Sequence, residues 1–119
     1  MVKTKSVYDP AEDTDGQRIL VTRFWPRGLS KARLSVAQWM KDVAPSRELL
    51  EDWKAGRISW DEYTVRYYRE MLAHEATISD LRRRAGVGTI TLLCFEREGD
   101  PHCHRHLLKV LIEQEAPTS

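Results

Sequence analysis

Residues 89–95 read Thr-Ile-Thr-Leu-Leu-Cys-Phe, and this stretch decides the fold. It is apolar at nearly every position instead of alternating, the pattern of a strand covered on both faces, as in parallel sheets flanked by helices. Leu92 to Phe95 is also the longest unbroken apolar run, far below the ~18 residues of a membrane span. A second strand is expected at Gln17–Phe24 (QRILVTRF), bounded by turn residues Asp13-Thr14-Asp15-Gly16 and Trp25-Pro26-Arg27-Gly28. Shorter strands are expected near Val36–Met40 and Lys3–Val7.

The segments between read as helices. Ser46 before Arg47-Glu48-Leu49-Leu50 marks one start, and Gly56 its stop. Ser59-Trp60-Asp61-Glu62 fits a capping box, and Trp60, Tyr63, Tyr67, Met71 and His74 then recur at helical spacing. Thr77–Asp80 opens a short helix ending at Arg82-Arg83-Arg84 and Gly86. Asp100-Pro101 is expected to open the last helix, from His102 to about Glu113, with Leu107, Leu108, Leu111 and Ile112 on its apolar face. Helices enclosed between two buried strands imply an α/β domain over residues 1–119, with a short, mainly parallel sheet, helices packed on it, and a flexible tail at about 115–119.

A chain of 119 residues is one ordinary domain, long enough to bury a core without disulfides or a structural metal. Nineteen Lys and Arg against eighteen Asp and Glu leave a net charge of +1, so no bulk field draws nucleic acid. A nucleic-acid role would need a local patch, and the Arg82–Arg84 run reads more simply as cations at a helix carboxyl end. Met1-Val2-Lys3-Thr4-Lys5 carries charge without an apolar stretch behind it, so no secretory signal is read and a cytoplasmic, reducing compartment is expected. No membrane partner is expected.

Ligands of parallel α/β sheets bind at the carboxyl ends of the strands. If strands 17–24 and 89–95 are neighbours, Arg23-Phe24-Trp25-Pro26-Arg27-Gly28, Cys94-Phe95-Glu96 and Cys103-His104-Arg105 converge on one rim. Arg23, Arg27 and Arg105 would then cradle an anion, Trp25 would stack on a planar ligand, and Cys94 would line the wall. Cys103, expected at the third position of the last helix, is the nucleophile candidate, with Glu96 or His104 as acid–base candidates. Against this stand simpler readings: thiols packed as small apolar groups, and arginines paired with Asp9, Glu12 or Glu96.

Two cysteines and four histidines invite a metal reading. No Cys pair has structural-zinc spacing, and Cys103 and His104 as helical neighbours diverge by about 100°, so no metal centre is assigned. A site of Cys94, Cys103 and another ligand stays open, as does a redox pair of the two thiols without Cys-x-x-Cys spacing. Asp13-x-Asp15-Gly16 resembles the start of a calcium loop, but Thr22 stands where the bidentate acid belongs. Nucleotide-loop and serine-elbow motifs do not occur, and no cofactor is assigned. These residues point to an anion- or nucleotide-type pocket. The alternative is a non-catalytic interaction module, possibly homodimeric through an aromatic face around Trp60, Tyr63 and Tyr68.

Tyr8-Asp9-Pro10, Arg23-Phe24-Trp25-Pro26-Arg27-Gly28, Val43-Ala44-Pro45-Ser46, Tyr67 and Thr91-Leu92-Leu93-Cys94 together resemble the YeaO-like branch of the family of domain of unknown function 488. The resemblance covers nearly the whole chain. The wider family's Cys-x-Glu strand end and Cys-His-Arg helix start match Cys94, Glu96, Cys103, His104 and Arg105. The resemblance implies a three-layer, Rossmann-like α/β domain in a cytoplasmic bacterial or archaeal protein, and no established reaction. YeaO-like members often lack these cysteines, which shifts the expected shared function from the thiols toward the arginine-rich loop.

Overall fold

The computed structural model of the protein describes residues 1–97 and 99–114. Its four strands, β1 (Val2–Ser6), β2 (Gln17–Leu20), β3 (Gln38–Trp39) and β4 (Ile90–Cys94), form one sheet in the order β1-β4-β2-β3. Every pairing is parallel. β4 is buried along its whole length, as its continuous apolar sequence requires.

The pleat sends successive side chains to opposite faces. Ile90 and Leu92, with Ile19 and Val21, lie under a thick helical layer. That layer is built from α2 (Arg47–Lys54), α3 (Trp60–Met71), α4 (Glu75–Val87) and α5 (His104–Glu113), which bury Leu49, Tyr67, Leu81 and Leu108 against the sheet. Leu20 and Leu93 face a thinner layer made by α1 (Lys31–Leu34) and the loops carrying Trp25, Leu29 and Val36. The result is a small three-layer α/β domain of Rossmann-like type. No helix among the described residues is long and apolar enough to cross a membrane. The tail expected at about 115–119 lies outside the described residues.

Ser46 and Ser59 cap their helices by accepting from the amides of Leu49 and Glu62. α4 starts at Glu75, before the expected Thr77, because only a 3-10 turn at Leu72–His74 separates it from α3. Arg82 donates to the carbonyls of Leu111 and Ile112, so it satisfies the last turn of α5 rather than its own helix. Arg83 and Arg84 pair with Asp80.

The amino edge of the sheet holds a buried charge cluster. Asp15 is fully buried, accepts from Arg18 Nη1 at 2.6 Å and from the Glu12 amide at 3.0 Å, and meets Lys5 Nζ at 3.1 Å. Arg18 spends Nε and Nη2 on the Leu34 carbonyl at 3.1 and 2.9 Å, tying α1 to the sheet. Thr91 of β4 donates to the Asp15 carbonyl at 2.7 Å.

Candidate functional site

β2 and β4 are neighbours, with Leu20 opposite Leu93, so the three expected segments meet at the carboxyl edge of the sheet. β2 ends four residues earlier than its sequence suggests. Val21 still donates to the Leu93 carbonyl at 3.1 Å, but its own carbonyl accepts from His104 Nε2 at 2.6 Å instead of from a strand. Thr22 then folds its hydroxyl onto the Phe24 carbonyl, and its own carbonyl accepts from Trp39 Nε1. The ladder stops because side chains have taken its acceptors.

α5 begins at His104 and not at His102. Asp100 accepts from the His102 amide at 2.9 Å, forming a local turn that delays the helix. Cys103 is therefore the N-cap residue, with extended backbone (φ −137°, ψ 139°), and not the third helical residue. The 100° divergence expected between Cys103 and His104 does not apply, because only His104 is helical. His104 Nε2 faces a carbonyl and must carry the ring proton, which leaves the Nδ1 lone pair toward the sulfurs. Nδ1 lies 3.8 Å from Cys94 Sγ and 4.0 Å from Cys103 Sγ. All three residues are buried, and Cys94 Sγ also donates to Glu96 Oε2 at 3.1 Å.

This arrangement splits the two thiols. The hydrogen bond from Cys94 outweighs burial and pulls Cys103 down to about 6. Donating to Cys103, together with burial, pushes Cys94 well above the ordinary thiol value. The hydrogen bond from Cys94 overcomes partial burial and lowers the Glu96 carboxyl. Burial, reinforced by the Cys103 charge, raises the Tyr63 phenol. In the reduced, metal-free protein one equivalent of thiolate should appear as the pH rises through about 6, and the second should not appear below 9. Ultraviolet thiolate absorbance against pH checks this. Two equivalents rising together near pH 9 would contradict it.

A pocket of about 120 Å³ opens over this cluster. Arg23, Cys94, Glu96, Cys103 and His104 line it, and so do Trp53, Lys54, Tyr63 and His102. Arg23 is anchored by Nε to the Pro45 carbonyl at 2.9 Å. The other expected residues lie elsewhere. Trp25 donates to the Leu29 carbonyl at 2.7 Å and packs edge-on against Trp39 in the thin layer. Arg27 is exposed and outside the lining. Arg105 is fully buried and donates to the carbonyls of Glu96 and Arg97, both at 2.8 Å, and of Lys5 at 3.3 Å. It holds the backbone of the strand ends together behind the pocket.

Sequence reasoning missed the aromatic wall as a site. Trp60 stacks on Tyr63 at 4.6 Å, and the His102 ring lies 4.9 Å from Trp60 and 5.6 Å from Trp53. The helical stripe carries that signal, but Trp60, Tyr63 and Tyr68 read as core or as an interaction face and not as a pocket wall. Tyr63 is buried, while Trp60 and Tyr68 are partly buried against the same core.

A family profile described as the inactive DUF488-N3 subclade, DUF488-N3i, matches residues 1–119. The chain belongs to this family. The DUF488-N3i chain is 38% identical over 92 residues to the uncharacterized protein YeaO of Escherichia coli K12, covering 77% of this chain and 80% of that one. It is 40% identical over 90 residues to the uncharacterized protein Rv3073c of Mycobacterium tuberculosis H37Rv, covering 76% and 75%. No solved structure matches it. The YeaO-like membership expected from the Trp-Pro-Arg-Gly and Ala-Pro-Ser segments is thus established for this DUF488-N3i domain.

Proposed function

We propose that the protein binds a small anion in the pocket at the carboxyl edge of its sheet, without turning it over. The observation that carries this reading is the position of Arg23. It is half-buried and fixed by Pro45, and it shares the pocket wall with Lys54 at a strand end. A guanidinium already anchored through Nε offers its remaining N–H groups to an oxyanion at little further entropic cost. The size of the pocket favours one of the two ligand classes. Pockets for drug-sized ligands run to about 300–1,000 Å³, and about 120 Å³ suits a phosphate-sized ion rather than a whole nucleotide.

Cys103, His104 and Glu96 have the composition of a nucleophile with its acid–base partners. Cys103 is only 3% exposed, however, so an incoming substrate would have to displace the wall to reach it. The family's description as an inactive subclade supports binding over turnover. Free thiols in this state suit a reducing compartment, the cytoplasm.

Calorimetric titration with inorganic phosphate and with adenosine monophosphate tests the reading. Phosphate should bind saturably, and the nucleotide no more tightly. Arg23→Glu should weaken phosphate at least roughly tenfold, the range for a lost charge-assisted hydrogen bond, while Arg27→Glu should leave it unchanged. Unaltered affinity in Arg23→Glu, or no binding by the folded wild type, would overturn the proposal.

A further inference from the structure

We propose that Cys94, Cys103 and His104 form a three-residue zinc site at the floor of the pocket, closing β4 onto the start of α5. The donor atoms of Cys94, Cys103 and His104 all lie within 4.8 Å of one another. Around a tetrahedral zinc, with bonds of about 2.3 Å to sulfur and about 2.0 Å to nitrogen, sulfur and nitrogen stand about 3.5 Å apart. The two observed sulfur–nitrogen separations, 3.8 and 4.0 Å, need only a few tenths of an ångström of contraction. Glu96 Oε2 accepts from Cys94 Sγ at 3.1 Å and stands beside this donor set, outside it.

Two further features fit a ligand set better than packing. Imidazole ligands of zinc commonly donate their second nitrogen to a carbonyl or carboxylate, which fixes the tautomer and the ring plane. His104 does this through Nε2 to Val21 at 2.6 Å, and the strand gives up its own ladder to provide that carbonyl. Two soft sulfur donors with one nitrogen select zinc over magnesium or calcium. Ligation would send the thiol protons to solvent. Three protein donors leave the fourth tetrahedral position to water, and the ion would cross-link the end of β4 to the start of α5. Two thiolates would balance the ion's charge, and Arg23 and Lys54 line the same pocket. The inference does not depend on anion binding, since its donors form the floor and not the cationic wall.

Cobalt(II) added to the reduced, chelator-treated full-length protein is the direct test. One equivalent should give intense visible bands of a tetrahedral centre and a thiolate-to-cobalt charge-transfer band, and one equivalent of zinc should bleach both. Zinc should also raise the melting temperature of the wild type. Cys94→Ser and Cys103→Ser should each weaken zinc more than roughly 100-fold, beyond the usual effect of an outer-shell partner, while His106→Ala should retain it. If the serine variants do not fold, the wild-type cobalt spectrum decides alone. A weak octahedral spectrum, or no uptake by folded protein with reduced thiols, would overturn the site. Zinc uptake by Arg23→Glu with phosphate affinity lost would separate this site from the anion proposal.

Discussion

Asp15→Ala is expected to cost about 3–5 kcal/mol of folding free energy, the range for removing one partner of a buried ion pair. Domains of this size are stable by only about 5–15 kcal/mol, so the variant should lose a large share of its stability. The cost comes from what remains. Arg18 is only 5% exposed and would keep its charge after losing the carboxylate 2.6 Å away, and Lys5 and the Glu12 amide would lose the same acceptor. Adding Arg18→Met should recover part of the loss, because an apolar side chain leaves no stranded charge. Urea denaturation of the single and double variants measures both effects. A single variant within 1 kcal/mol of wild type would show that the cluster is dispensable.

The same carboxylate sets an acid limit. Burial alone would raise Asp15, but the Glu12 amide, Lys5 and Arg18 overcome it and hold the group at about 2, below its ordinary 3.8. A depressed folded value contributes stability above the unfolded value and loses it as the pH falls. Asp15 should thus supply about 2 kcal/mol above pH 4 that disappears toward pH 2.

Gly16→Ala should be at least as damaging, beyond about 4 kcal/mol, a size that marks a specific steric fault. Gly16 has φ +63°, and a Cβ there would lie 2.1 Å from the Thr89 carbonyl oxygen. That carbonyl is backbone leading into β4 and already accepts from the Gln17 amide at 3.0 Å, so it cannot move without disturbing the β2–β4 pairing. Gly28 separates sterics from backbone preference. It has φ +78° but nothing within 4 Å of its Cβ position, so Gly28→Ala should cost only the left-handed penalty of about 1–2 kcal/mol. Equal losses in the two variants would mean that contact with Thr89 contributes nothing.

The fold was legible where apolar pattern and local caps determine it. Residues 90–94 announce a strand buried on both faces, and Ser46 and Ser59 announce helix starts, because these signals are local. The candidate site was legible in which residues it gathers, since the rule about strand ends brings Cys94, Glu96, Cys103 and His104 together. Their relative geometry was not, because it turns on a two-residue delay in α5 imposed by Asp100. The arginines misled for a related reason. Arg105, expected on the rim, is buried because the carbonyl of Lys5, distant in sequence, and those of Glu96 and Arg97 receive it, and a lone sequence shows no carbonyl positions. Trp25 looked available for stacking until Trp39 was found against it.

The strand order carries a consequence for biosynthesis. β1 and β2 flank β4 without pairing with each other, yet both leave the ribosome long before β4 is translated. Until Cys94 emerges, the nascent chain holds two sticky edges whose shared middle is still being made. Pairing between residues so distant in the chain is slow, and exposed edges of this kind aggregate. The protein should therefore fold after synthesis and not during it, and a ribosome stalled before codon 90 should release a product that depends on chaperones or is degraded.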